Sequence, residues 1–170
     1  MIYLLDANVL ITAHSTYYPL DTVPEFWDWL AHHCGAENIK MPLETFEEIR
    51  DGGANRGRNP LYQWAQANRE ALLLPGEADA ALVRQVVSIG YAADLTDVEV
   101  EGLRRDPFLI AHALVDPANR CVVTNEVSSP RKVRQNRKIP DVCATLQVPC
   151  CDTFALLRTL RFSTGWNRGS

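Results

Sequence analysis

Short, almost uninterrupted apolar runs recur along this 170-residue chain, separated by longer stretches with helical spacing. Ile2–Leu5, Cys121–Thr124 and Val148–Cys151 are too short for helices and too apolar to alternate faces. Such runs read as strands buried on both sides, the pattern of a parallel sheet covered by helices. Asn38–Pro42 adds a further short strand, and Val9–Ile11 reads as an extension of the first beyond Asp6-Ala7-Asn8. Right-handed crossovers between parallel strands then require helices on both faces. The expected fold is α/β: a three-layer α/β/α sandwich with a central, mainly parallel sheet of four to five strands.

Helical segments fill the intervals. Thr22-Val23-Pro24-Glu25 has capping-box spacing ahead of a helix carrying Phe26, Trp27, Trp29 and Leu30 to about Cys34. Thr12–Leu20 before it reads as a loop. Helices are expected over Leu43–Asp51, from Asn59-Pro60 to about Leu73, over Ala78–Ile89 and over Asp97–Arg105. Asp106-Pro107 opens the most apolar one, Phe108–Val115, and Asp152-Thr153 caps the last, with Phe154, Leu156, Leu157 and Leu160.

The length fits one domain, residues 1–170, with 46% hydrophobic and 22% charged residues, a globular composition. No apolar run approaches the ~20 residues of a membrane span, and the opening residues look unlike a secretory leader. Five cysteines without a C-x-x-C pair form neither a disulfide framework nor a zinc pattern. Reduced cysteines in a cytoplasmic protein are the expectation. The four histidines lack metal-site spacing and read as structural or surface groups. Phosphate-binding glycine loops and nucleophile elbows are absent too.

In parallel α/β sheets ligands collect at the carboxyl ends of the strands. Asp6, Glu48, Asp106 and Glu126 fall where a strand ends or the next helix starts. An ionised Asp6 inside an apolar strand is costly unless a cation or hydrogen bonds compensate it. The other three have simpler readings: Glu48 in a capping box with Thr45, Asp106 as N-cap, Glu126 as a solvated loop acid. Gathered together, four such carboxylates repel unless a cation neutralises them, and their hard oxygens favour Mg²⁺ or Mn²⁺, one ion or two. A formal net charge of −4 does not exclude a polyanionic substrate, since such a cluster would itself account for it. Five basic residues, Arg131, Lys132, Arg134, Arg137 and Lys138, lie within eight positions. Together with Arg56 and Arg58 they either hold a phosphate backbone or form a solvated loop.

Four segments, in order, resemble the motifs of PIN-domain nucleases. Tyr3-Leu4-Leu5-Asp6-Ala7-Asn8-Val9-Leu10-Ile11 resembles their opening strand, with Ala7 where Thr or Ser is usual. Glu48-Ile49-Arg50-Asp51-Gly52 is similar to the helical segment supplying the second acid, and Asp106-Pro107-Phe108-Leu109-Ile110-Ala111-His112-Ala113-Leu114 to the helix supplying the third. Val122-Val123-Thr124-Asn125-Glu126 is similar to the strand end supplying the fourth, with Glu in place of the usual Asp; Asp141 is the other candidate for that place. Tyr17-Tyr18-Pro19 to Trp27-Asp28-Trp29-Leu30, and Lys138-Ile139-Pro140-Asp141-Val142-Cys143, look like a PIN-like family of unknown function resembling VapC-type ribonuclease toxins.

The resemblance implies a divalent-metal-dependent endoribonuclease, the toxin of a type II toxin–antitoxin pair. Asp6, Glu48, Asp106 and Glu126 would bind Mg²⁺ or Mn²⁺, with Asn8 and Thr124 orienting them. It further implies an RNA substrate, a protein antitoxin over the cleft and a homodimer, for which Tyr17, Tyr18, Trp27 or Trp29 would serve unless they are core. Rival readings are a PIN-like binding module without activity, a DNA nuclease, and a metal-dependent phosphatase, whose second Asp is replaced here by Asn8.

Overall fold

A computed structural model describes residues 1–51 and 59–167. The elements run β1 (Ile2–Leu5), α1 (Ala7–Thr12, prolonged by a π-helical turn, Ala13–Tyr17), α2 (Pro24–Gly35), β2 (Ile39–Lys40) and α3 (Leu43–Asp51). Then follow α4 (Pro60–Ala67), α5 (Arg69–Leu72), α6 (Ala80–Gln85, prolonged by a π-helical turn, Val86–Tyr91), α7 (Asp97–Gly102) and α8 (Asp106–Leu114). The chain closes with β3 (Arg120–Val123), α9 (Ile139–Leu146), β4 (Cys150–Cys151) and α10 (Thr153–Thr159).

The four strands pair in the order β2-β1-β3-β4, all parallel. Leu4, Leu5, Val122 and Val123 are fully buried, as strands covered on both faces require. The core is accordingly split by the sheet. One side gathers Phe26, Trp27, Trp29 and Leu30 of α2 with Val9 and Leu10 of α1. The other gathers Leu109, Ile110 and Ala113 of α8 with Val142 and Cys143 of α9 and Val86 of the π-helical turn. This is the three-layer α/β/α sandwich expected from the sequence. Trp27 and Trp29 are 1% exposed, which makes them core and leaves Tyr17 the exposed aromatic of that group.

Local readings differ in instructive ways. Val9–Ile11 do not extend β1. The chain turns helical at Ala7, so Asp6 stands at the strand's carboxyl end and not within it. The apolar residues after Asp6 bury a helix face instead, because a short apolar run does not distinguish the two. The helix continues to Tyr17, so Thr12–Leu20 is a loop only in its last part. At α2 the N-cap position is Val23, without a side-chain cap, and the Thr22 hydroxyl turns to Asp21. A true capping box forms at α7 between Thr96 and Glu99. The segment after the basic run, to which no element is assigned from the sequence, forms α9. That helix packs so closely on the π-helical turn that a Cβ on Gly90 would come within 2.6 Å of Val142 Cγ1.

Among the described residues no helix is long and apolar enough to cross a membrane. Cys34, Cys121 and Cys143 are buried, Cys150 and Cys151 half-buried, and all five are free thiols.

Candidate active site

The strand order reverses direction between β1 and β3, since the chain goes outward from β1 to β2 and then crosses to the other side for β3. At such a switch point the connections leave in opposite directions, opening a crevice at the strands' carboxyl ends. Asp6 follows β1 directly and Thr124-Asn125-Glu126 follow β3. The two adjacent strands, registered Leu5 to Val123, therefore deliver these residues to one place.

Asp6 is 6% exposed and its Oδ2 accepts two hydrogen bonds, from Asn8 Nδ2 at 2.5 Å and Thr124 Oγ1 at 2.7 Å. Asn8 also donates to Thr124 Oγ1 at 3.0 Å, and its own Oδ1 receives the Asn125 amide at 3.0 Å. Thr124 Oγ1 in turn accepts the Glu126 backbone N–H at 3.1 Å. Thr153 fixes Asn125 by donating to its Oδ1 at 2.6 Å. Asn8 and Thr124 thus stand around Asp6, as the resemblance implied. Asn125 was missed, and its only signal was adjacency to Thr124.

Thr124→Val preserves shape and removes the hydroxyl, leaving a buried carboxylate one donor short. We expect a loss of about 1.5–3 kcal/mol in urea denaturation at pH 7. An unchanged midpoint would show that this hydroxyl contributes nothing to holding Asp6.

Asp106 lies in the first turn of α8 and does not cap it: the N-cap is Arg105, with no side-chain bond. Its carboxyl pKa is pushed up to about 8, first by burial, then by the negative charges of Asp6, Glu126 and Glu48, with Lys138 opposing. Burial, with a smaller push from Glu126, also raises Asp6 against its hydrogen bonds. Glu48 stands on α3, where Thr45 is buried inside the helix and bonds Pro42 O and Leu5 O, so Thr45 caps nothing for Glu48 to complete. Asp106 therefore feels the charges of the other three acids named from the sequence, and Asp6 that of Glu126.

Positive charge enters from within the chain. Lys138 Nζ lies 2.7 Å from Glu126 Oε1, while the Ile139 N–H donates to Oε2 at 2.9 Å. Both oxygens of Glu126 are engaged at the start of α9. Asp141 serves elsewhere: its carboxylate accepts Ser128 Oγ at 2.5 Å and the Ser129 N–H at 2.7 Å, bonds that lower its pKa. The buried Tyr91 hydroxyl has no hydrogen-bond partner, and burial together with the Asp106 and Glu126 charges raises its pKa. Nothing in its local sequence marked it as a neighbour of the acids.

The basic run is largely committed to structure. Arg134 binds Glu99 and Asp94, both at 2.8 Å, and Arg137 donates to the carbonyls of Gly90 and Asp141. Arg131 and Lys132 are exposed. Arg56 and Arg58 lie outside the described residues. Of the histidines, His112 is buried on α8 with Nε2 3.4 Å from Glu44 Oε2, and burial lowers its pKa.

Among the described residues no three His, Cys, Asp or Glu side chains lie in an arrangement that would hold a metal ion as they stand. The donor chemistry nonetheless suits a hard divalent cation. Asp6, Glu48 and Asp106 offer carboxylate oxygens, and burial first, then the neighbouring negative charges, raise the Asp106 pKa, which a bound cation would oppose.

Comparison with known proteins gives three findings. The family described as "Domain of unknown function (DUF4411)" matches residues 3–164. A crystal structure of PAE2754 from Pyrobaculum aerophilum is similar with a TM-score of 0.49 and 17% identity, covering 95% of this chain and 97% of that one. No curated protein matches the sequence.

Proposed function

The chain belongs to the DUF4411 family, and within it we propose a divalent-metal-dependent endoribonuclease. The observation that carries this reading is that the charges of Asp6, Glu126 and Glu48 all reach Asp106, beside the sheet's switch point where Asp6 and Thr124-Asn125-Glu126 leave adjacent strands. Mutual repulsion in a half-buried crevice is unfavourable for folding, and a cation reverses its sign. The Thr124 and Asn8 donors favour the ionised form of Asp6 in opposition to its burial.

Asp6, Glu48 and Asp106 would hold Mg²⁺ or Mn²⁺. Such an ion, when bound, lowers the pKa of water and offsets charge on a phosphodiester in the transition state. The protein's part is positioning. Asn8 and Thr124 lock one oxygen of Asp6, and Thr153 and Asn125 in turn lock Asn8. Lys138 holds Glu126 and brings positive charge to within reach of Asp106.

Attack of water on phosphorus in line with the P–O3′ bond, which breaks as the 3′-oxygen takes up a proton, would leave a 5′-phosphate and a 3′-hydroxyl. On the PIN resemblance we assign the activity to the toxin of a type II pair in the cytoplasm. Its protein antitoxin would cover the crevice, with an Arg or Lys inserted among the acids as Lys138 already is at Glu126. A homodimer is part of the same proposal.

The test is incubation of the purified protein with end-labelled single-stranded RNA, with Mn²⁺ and with EDTA. Cleavage is expected with Mn²⁺ and is expected to vanish with EDTA. Equal cleavage under both conditions would remove the metal from the proposal. One observation favours a second reading, a binding module without activity: both Glu126 oxygens are already taken by Lys138 and the Ile139 amide. That reading gains if calorimetry detects no Mn²⁺ binding.

A further inference from the structure

Beside the site, Asn125 and Glu126 line a cleft of about 530 Å³ together with Tyr17 and Phe154. Two large aromatic rings are exposed there, Tyr17 at 48% and Phe154 at 42%, packed edge to face with centroids 5.4 Å apart. Both are delivered by elements that begin at the site. The π-helical turn that prolongs α1 beyond Asp6 ends at Tyr17, and Phe154 follows the Asp152-capped start of α10.

Phe154 also lines a second groove, of about 450 Å³, whose basic residues are Arg158 and Arg161. Phe154 and Arg158 are four apart on α10 and so share a face. Arg158 and Arg161 are exposed and enter no ion pair among the described residues. The one acid between, Asp152, is turned to its own helix, accepting the Ala155 N–H at 2.6 Å. Across the two grooves the lining thus runs from Glu126 through the aromatic rings to the guanidinium groups.

We propose that this strip binds single-stranded RNA leaving the carboxylate crevice, with an unstacked base on the Tyr17–Phe154 platform and phosphates on Arg158 and Arg161. The proposal rests on the ribonuclease reading and adds where the strand lies. Aromatic rings beside free guanidinium groups are the combination that holds single strands, because each base has a stacking face and each phosphate a charge. A duplex keeps its bases stacked on each other and has none to offer. The strip also differs from the Arg131–Lys138 run, where Arg134, Arg137 and Lys138 are held by intramolecular bonds.

The experiment measures anisotropy of a fluorescent 12-nucleotide oligouridylate with the full chain in EDTA, across a range of salt. Phe154→Ala should weaken binding at least about fivefold, with Phe154→Tyr close to wild type. Arg158→Gln with Arg161→Gln should flatten the log–log salt dependence by about 1.4. Unchanged affinity and salt slope in these variants overturns the proposal, as does absence of binding by the wild type. Phe154→Ala converting a dimer to a monomer in sedimentation, with RNA affinity unchanged, would make the patch an interface between copies and also overturn it. The cleavage reading fails separately: oligouridylate bound through the strip but never cut with Mn²⁺ leaves the strip standing without the nuclease. Cleavage retained by variants of unchanged affinity does the reverse.

Discussion

Asp6→Asn is expected to reduce RNA cleavage at least about a thousandfold while leaving the metal-free protein as stable as wild type or more so. A thousandfold is about 4 kcal/mol of lost transition-state stabilisation, a reasonable share of what a catalytic divalent ion contributes. The stability half follows from the surroundings. Asp6 is buried, and burial pushes its carboxyl pKa up despite the Thr124 bond. At neutral pH its ionised form is therefore disfavoured relative to the unfolded chain. Asparagine keeps an oxygen to accept from Asn8 and Thr124 and brings no charge. Cleavage by Asp6→Asn at wild-type rate would reject the site. Loss of activity accompanied by unfolding in circular dichroism would mean that Asp6 is structural.

The second large effect is a pH-dependent stability difference between Asp106→Asn and wild type without metal. The folded-state pKa of Asp106 is raised from 3.8 to about 8. Below about pH 4 the carboxyl is neutral in both folded and unfolded chains and contributes nothing to the slope. As pH rises from there, the unfolded carboxyl gives up its proton while the folded one retains it, so wild-type stability falls until about pH 8. The ceiling is about 1.4 kcal/mol per pKa unit. Asp106 is partly exposed, and solvent screening brings the expected total to about 1–3 kcal/mol.

The asparagine side chain introduced by Asp106→Asn does not titrate, so the variant's advantage in Tm should grow from near zero at about pH 4 to roughly 3–10 °C at about pH 8. Adding Mn²⁺ at that higher pH should raise the wild-type Tm and leave the variant's nearly unmoved, since the ion binds the ionised carboxylate. A constant difference across the pH range would show that the folded chain does not raise the Asp106 pKa.

The fold was legible because it depends on what short apolar runs can do. Leu4, Leu5, Val122 and Val123 had no polar alternation and so had to be covered on both faces. The boundaries at Asn59-Pro60 and Asp152 were written in capping chemistry, which acts within a few residues. The continuation after Asp6 was not legible. Val9-Leu10-Ile11 is as suitable for a helix as for a strand, and packing chose the helix. The same holds for α9, whose apolar residues, Ile139, Val142 and Cys143, take their meaning from the π-helical turn they cover.

By itself the sequence determined which residues can carry a charge and which must be hidden, and hence a covered parallel sheet with acids toward the carboxyl ends of its strands. Only the tertiary structure decided that Lys138 reaches Glu126 and that Arg134 goes to Glu99. It alone brought Tyr17, near the start of the chain, against Phe154, near its end. Burial is a property each residue carries as a local preference. A charge's partner, and the ring that another ring meets, depend on where distant segments arrive, and nothing local to either residue encodes that.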